Sequence, residues 1–490
     1  MLLHKKERII LANIDIFKNY KHIHMLGIGG VSMSGIAEML KNWGFTVTGS
    51  DSSYSPIIKK LQKTGIYVRV GHDFENLSKA DVVVYSAAIK QSDPEILKAK
   101  QLNIPIIERA DFLGQITSCF EDTICISGTH GKTTTTSMIS CCFLKANADP
   151  NIQVGALLKE IDGNYRIGNS EYFILEACEY VESFLKFYPK AEVILNIDND
   201  HLDYFKNFEN IKNAFVKYVN LLPKDGILVL NADDPNCLDL RKHSAAPTIT
   251  YGINNDYANY RATNITFDKN GFPSFDVYHN GNFYATIKLS VAGLHNVSNS
   301  LACIALCDYY KLPKMNIKEA LLTFTGANRR LEFKGTFNGA SLFDDYAHHP
   351  TEIKATANSI KNKQYHKSWV VFQPHTYSRT KNLLEDFAKA LTNFDNIIVT
   401  DIYAAREDNI YNISSQDLVS KIKSSGRDAI YISDFNNIAS YLKNHVEKDD
   451  IVVSLGAGTI TNLSKYLIYK NNEVKLHYFL LLVFFFSIIF

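Results

Sequence analysis

Residues 126–134 read ISGTHGKTT, and no other segment points so directly to a chemistry. Small residues let a backbone wrap an anion, with the N–H groups of the turn and of a following helix facing it. Lys132 can then reach the outer phosphates of a nucleotide, and the Thr133 hydroxyl suits Mg2+. The full phosphate-loop pattern has a glycine five positions before Gly131. Here that position is Ile126, so the loop is a shorter G-x-x-G-K-T form: Gly128, Thr129, His130, Gly131, Lys132, Thr133. The plain alternative is a glycine turn that a lysine happens to follow.

A second glycine turn, GIGGVSMSG at 27–35, presents Gly27, Gly29 and Gly30, with Ser32 where a dinucleotide fingerprint has its third glycine. Asp51 ends the next apolar run, at the place of a ribose-binding acid. The turn suits NAD or another nucleotide diphosphate, or simply a close helix–strand crossing. Metal-type ligands follow in EACE (176–179) and NIDNDHLD (196–203), with Glu176 and His201 as candidates. Mg2+ needs only one or two carboxylates beside phosphate oxygens, whereas an acidic loop alone is a solvated turn. Asn296, in GLHNVSN, caps a helix or reads a base edge. Farther on, Arg330, Asp345, Tyr346, His348, His349, His375 and Arg379 gather charge and imidazole of the kind that grips phosphates and amino acids.

The elements that must carry these residues are legible as alternating apolar runs and helical stretches, the pattern of parallel βαβ units. Strands are expected at 22–26, 45–48 and 82–85, then at 123–127, 173–175, 193–197 and 227–230. The last set falls at 341–343, 369–372, 397–400 and 451–455. Residues 249–292 alternate with turn signals and suggest an antiparallel insert, and a helix is expected over 300–310. The fold class is therefore α/β, three α/β domains in series: 1–118, 119–326 and 327–470, joined near 115–122 and 324–328. The 490 residues exceed one core, and 52 basic against 51 acidic residues leave no field to draw the chain onto nucleic acid. The eight cysteines include no C-x-x-C pair, as expected of reduced thiols in a cytoplasmic protein. The apolar tail 471–490 is too short at 478–490 to span a bilayer as a helix, so membrane contact is not expected.

Taken in order, GIGGVSMSGIAE, SGTHGKTTTTSM, NIDNDHLDYF, GLHNVSNS, GANRRLEFKG, DDYAHHPTE, FQPHTYSRT and DIYAARE resemble the Mur ligases of bacterial cell-wall synthesis, from His22 to about Tyr466. The resemblance implies a Rossmann-like N-terminal domain, a central P-loop ATPase domain and a C-terminal Rossmann-like domain. It implies ATP with Mg2+, and L-alanine joined to UDP-N-acetylmuramate through an acyl phosphate, by a monomer or homodimer. Gly27, Gly29, Gly30, Ser32 and Asp51 would hold the UDP-sugar. Gly128, Thr129, His130, Gly131, Lys132, Thr133, Asn296, Arg330 and Asp345 would hold ATP. Thr133, Glu176 and His201 would serve the metal, and Tyr346, His348, His375 and Arg379 the amino acid. Lys132, Arg330 and His348 would be catalytic, with His349 and His201 as further candidates for the base. Cys178 and Thr376 stand where relatives carry an acid and an arginine. Competing readings are a murein-peptide ligase, an NAD-dependent oxidoreductase resting on 27–35, and a silent nucleotide-binding relative.

Overall fold

The computed structural model describes residues 17–77, 79–405 and 407–468; the tail expected at 471–490 lies outside them. They form two compact units. One runs to Asn264 and includes Phe275–Ile287 and Ser298–Phe324; the other comprises Ile265–Ser274, Lys288–Val297 and the chain from Thr325. Three sheets are distributed over these units, as the three α/β sets in the sequence imply.

The first sheet contains β1 (His22–Leu26), β2 (Thr46–Asp51), β3 (Tyr67–Val70), β4 (Val82–Tyr85) and β5 (Ile106–Glu108), ordered β3-β2-β1-β4-β5. Every pairing is parallel. Strand order reverses beside β1, and ligands bind at such switch points, outside the carboxyl ends of the strands. The 27–30 turn leaves β1 there and enters helix α1 (Val31–Asn42). Helix α2 (Arg109–Thr117) runs into the linker expected near 115–122 and leaves only 118–121 before the second sheet.

The second sheet has ten strands. β6 (Asp122–Ser127) leads through the 128–131 turn into α3 (Lys132–Lys145). Then come β7 (Asn151–Leu158), β8 (Gly163–Arg166), β9 (Tyr172–Glu176), β10 (Ala191–Ile194), β11 (Ile227–Asn231) and β12 (Thr248–Gly252). The last three are β13 (Tyr260–Phe267), β14 (Pro273–His279) and β15 (Asn282–Lys288), in the order β15-β14-β13-β12-β11-β10-β6-β9-β7-β8. The antiparallel insert begins later than the alternation suggests, because β12 pairs parallel with both β11 and β13. The β14–β15 connection is Asn280 (φ 48°) and Gly281 (φ 80°), and two positive φ values in a two-residue turn match the twist of a hairpin. One apolar cluster runs beneath both sheets, with Phe112, Ile116 and Phe120 beside Phe173, Phe184 and Phe215, and a smaller one gathers Leu26, Leu77, Val83, Ile96 and Ala99 on the first sheet.

Helix α4 (Leu294–Tyr309) begins ahead of the expected 300, directly after Gly293 at φ +101°. Asn296 thus lies inside the helix and not at its cap.

The second unit's sheet comprises β16 (Glu332–Phe337), β17 (Ala340–Asp345), β18 (Ser368–Phe372), β19 (Asn396–Val399), β20 (Ile430–Tyr431) and β21 (Ile451–Leu455). Its order is β16-β17-β21-β18-β19-β20, parallel throughout except for the β16 edge. Helix α5 (Pro350–Lys361) follows β17, and the short α6 (Tyr377–Asn382) follows β18.

Candidate active site

In the first unit, the turn after β1 is braced from β2. Asp51 Oδ2 accepts the Gly29 N–H at 2.9 Å, and a Cβ at Gly29 would stand 2.9 Å from that same oxygen. Asp51 therefore supports the turn as well as ending the strand. Ser32 Oγ accepts from Gln153 Nε2 at 2.5 Å and lies 3.4 Å from Arg109 Nη1, so strand β7 meets the start of α1.

The 128–133 turn is held by the segment after β10. Thr129 N–H donates to Asn196 O (3.0 Å), and the Asn196 amide bonds both N–H and C=O of His130 at 2.7 and 2.9 Å. His130 Nε2 lies 3.0 Å from Asp198 Oδ2, and Asp198 N–H donates to Thr129 Oγ1 at 2.9 Å. The strand expected over 193–197 therefore stops at Ile194, releasing Asn196 for this role. Gly131 has φ +88°, and a Cβ there would lie 2.8 Å from Asn299 Oδ1, so any other residue would be strained and would displace that amide.

Lys132 Nζ donates to Gly128 O (2.5 Å), Thr129 O (3.1 Å) and Glu179, whose Oε2 is 3.0 Å away. Burial opposes its charge, yet Glu179, only 2% exposed, and then Glu176 raise its pKa above the ordinary lysine value. Lys132 stays an ammonium. Thr133 Oγ1 donates to Glu176 Oε2 at 3.2 Å, and Glu176 Oε1 accepts the Gly155 N–H at 2.5 Å. His201 does not join that pair; its Nε2 lies 3.9 Å from Glu179 Oε1 and 3.7 Å from Asp200 Oδ2, and its ring packs on Tyr180.

In the second unit, Asp345 is buried at the end of β17. Its carboxylate accepts from Ala347 N–H (2.9 Å), Leu331 N–H (3.1 Å) and Thr356 Oγ1 (3.1 Å). Burial raises its pKa to about 6, against the pull of Arg330. Arg329 is committed to Asp344 (3.3 Å) and to Gly456 O (2.5 Å), while Arg330 lies over the Tyr346 ring at 5.3 Å. Rings of Tyr346 and His348 stand 5.2 Å apart, those of His348 and His375 5.7 Å, and Arg379 Nη1 is 3.4 Å from His375 Nδ1. The residues singled out in this part of the sequence form one cluster. Asn296 packs in the same unit and donates to Ala292 O at 2.7 Å.

Three consecutive stretches match family descriptions: 22–121 the "Mur ligase family, catalytic domain", 126–307 the "Mur ligase middle domain" and 329–458 the "Mur ligase, glutamate ligase domain". A UDP-N-acetylmuramate–L-alanine ligase of Acetivibrio thermocellus is 50% identical over 90% of this chain and 94% of its own. The Mur ligase family claims the chain; it belongs there. A ligase of the same name from Caldanaerobacter subterraneus is 46% identical over 94% of this chain and 100% of its own. The crystal structure of UDP-N-acetylmuramate-alanine ligase from Thermotoga maritima superposes with a TM-score of 0.79 at 28% identity, covering 93% and 100% of the two chains. A murein peptide ligase from Psychrobacter arcticus shares the fold (TM-score 0.68, 24% identity, 92% and 98% covered).

This Mur ligase also uses residues that motif reading left without a role. Glu179 and Asn299 sit within quoted motifs, but only the fold shows that one grips Lys132 and the other abuts Gly131. Asn196 is signalled only by an amide after an apolar run. Cys178 is exposed, at the end of β9 beside these acids. No described helix is long and apolar enough to cross a membrane.

Proposed function

We propose that the protein joins L-alanine to the lactyl carboxylate of UDP-N-acetylmuramate at the expense of ATP, in peptidoglycan precursor synthesis. The observation that carries this is the 128–133 turn, with an ammonium and a threonine–glutamate pair at the mouth of α3. Identity of 50% with a ligase of that name supports it. We assign UDP-sugar binding to 1–118, with Gly27, Gly29, Gly30, Ser32 and Asp51. ATP binding falls to 119–326, and amino-acid binding with further ATP contacts to 327–470. ATP as cosubstrate and eight cysteines outside any disulfide support a cytoplasmic setting.

A carboxylate and an ammonium do not condense in water: one lacks a leaving group and the other a lone pair. The lactyl carboxylate first attacks the γ-phosphorus of ATP, releasing ADP and leaving an acyl phosphate. The uncharged alanine amine then attacks the acyl carbon, and phosphate departs. Two anions meet in the first step, so fixed positive charge and positioning supply most of the catalysis. Lys132 supplies that charge at the β- and γ-phosphates, cradled by the backbone of Gly128, Thr129, His130 and Gly131. Arg330, Asn296 and Asp345 are assigned to ATP as the family resemblance implies.

Thr133 Oγ1 and Glu176 Oε2 are 3.2 Å apart, close to the spacing of adjacent oxygens around an octahedral Mg2+ with bonds of about 2.1 Å. The pair fits the ion; His201, a nitrogen donor, is the weaker member of the set. When bound, Mg2+ shares the charge of the phosphate oxygens.

The amine proton goes to His348. A carbonyl only accepts, so Nδ1, 2.9 Å from Tyr346 O, carries the ring proton and Nε2 is the basic nitrogen. His349 instead accepts the Thr351 N–H through Nδ1 and caps α5. Tyr346, His375 and Arg379 complete the alanine pocket, with Arg379 facing its carboxylate.

ADP release, assayed with L-alanine, other amino acids and a murein-type tripeptide, with and without UDP-N-acetylmuramate, tests the reading. Release should require both the sugar nucleotide and L-alanine, and Lys132→Ala should lower it at least 100-fold while UDP-sugar binding persists. Product formed without ATP cleavage, or near-normal turnover in that variant, overturns the assignment.

A further inference from the structure

Two loops at the carboxyl ends of β18 and β19 are fastened to each other. Tyr403 N–H donates to Pro374 O at 2.8 Å, Thr376 N–H donates to Tyr403 O at 2.9 Å, and the His375 ring stacks on Tyr403 with centroids 5.7 Å apart. A further link closes the set. Both oxygens of Glu407 are taken up by Ser378, one by its N–H (2.9 Å) and one by its Oγ (2.5 Å). Glu407 belongs to the DIYAARE motif and Ser378 to FQPHTYSRT, and neither has a part in the mechanism above.

Between these links Thr376 holds φ 63° and ψ 149°. This combination is close to a region that only glycine occupies without strain, and a β-branched residue stays there only when its surroundings hold it. The turn so held carries His375 on one side and Arg379 on the other, one residue beyond the serine that Glu407 grips. Arg379 N–H in turn reaches Thr376 Oγ1 at 3.4 Å.

We propose that Glu407 is a positioning residue for the amino-acid pocket: it latches the loop after β19 to the strained 376–379 turn and so fixes where His375 and Arg379 point. Glu407 touches no reacting atom. Its effect is on the fit of the small amino acid, whose carboxylate and side chain leave little binding energy to correct a misplaced guanidinium. This rests on the proposed reading of Tyr346, His348, His375 and Arg379 as the alanine site.

Steady-state ADP release by the full chain tests it, in wild type and in Glu407→Gln, Glu407→Ala and Ser378→Ala. The KM for L-alanine should rise about 10-fold or more in Glu407→Ala and less in Ser378→Ala. KM for ATP and for UDP-N-acetylmuramate should stay within about twofold, and Glu407→Asp should restore part of the loss. The double variant Glu407→Ala/Ser378→Ala should be no worse than Glu407→Ala alone, because both remove one link. A folded Glu407→Gln or Ser378→Ala enzyme with wild-type KM for L-alanine overturns the latch, as does an equal rise in all three KM values. Wild-type turnover that ignores L-alanine overturns the ligase reading itself, and the latch with it.

Discussion

At single residues, the site is a set of charges kept where water would not keep them. Lys132 is surrounded by two carbonyls and a buried carboxylate, so its ammonium is already desolvated and aimed before a triphosphate arrives. Asp345 is the opposite case, a carboxyl that burial holds in its proton-binding range near pH 6 instead of the usual 3.8. Because its folded pKa is the higher one, the folded protein binds the proton more tightly, and the stability that gives is present in acid. It is lost as pH rises from about 4 to about 6, and little changes above that. The shift corresponds to roughly 3 kcal/mol at about 1.4 kcal/mol per unit. Asp345→Asn removes the titration. Denaturant unfolding of both proteins across that window should show the wild type losing stability relative to the variant, with parallel curves above pH 7. Curves parallel throughout would mean that Asp345 ionises normally.

At the level of elements, caps and turns decide where side chains land. Helix α5 opens with a reciprocal cap: His349 accepts from the helix's first amides, while Glu352 Oε2 accepts the N–H groups of His349 (3.2 Å) and His348 (3.0 Å). Glu352→Ala should therefore cost about 1 kcal/mol, the usual worth of such a cap, and lower kcat through His348 while leaving UDP-sugar binding intact. Thermal unfolding beside turnover checks both. The strands and glycine turns of this fold were legible because buried parallel strands read as unbroken apolar runs, as in VVVY at Val82–Tyr85. The first turns of α4 were not. Asn296 and Asn299 are poor helix formers, and their polarity disguised a helix that Gly293 starts six residues earlier than expected. Chemistry carried by residue type, such as the lysine after a glycine turn, could likewise be read directly. Partners supplied by distant segments, Asn196 on His130 or Glu407 on Ser378, could not, because only the closing of the sheet brings them together.

Over the whole molecule, three α/β sets in the sequence lie in two compact units, and in the larger one apolar cluster runs beneath two sheets. Phe120, after α2, packs against Phe173 of β9 with centroids 4.9 Å apart and against Trp43 at 6.0 Å, so the connection between the two sheets is itself core. The tightest point of that union is Gly114, in α2. A Cβ there would stand 2.1 Å from Lys186 O, a backbone atom that cannot rotate away. Lys186 ends the 3-10 stretch Tyr180–Lys186, and that stretch begins next to Glu179, the partner of Lys132. Gly114 is helical, so alanine would improve local helix propensity by about 1 kcal/mol, and an effect through the helix alone should stabilise the protein. Overpacking costs typically 1–3 kcal/mol and opposes that gain. We expect the clash to win: Gly114→Ala should lower the unfolding temperature and also weaken ATP binding, because the displaced stretch carries Glu179 with it. Unfolding scans with and without ATP separate the outcomes. A stabilised variant with unchanged ATP affinity would show that the two sheets can part at this point without cost, and that Glu179 is held from elsewhere.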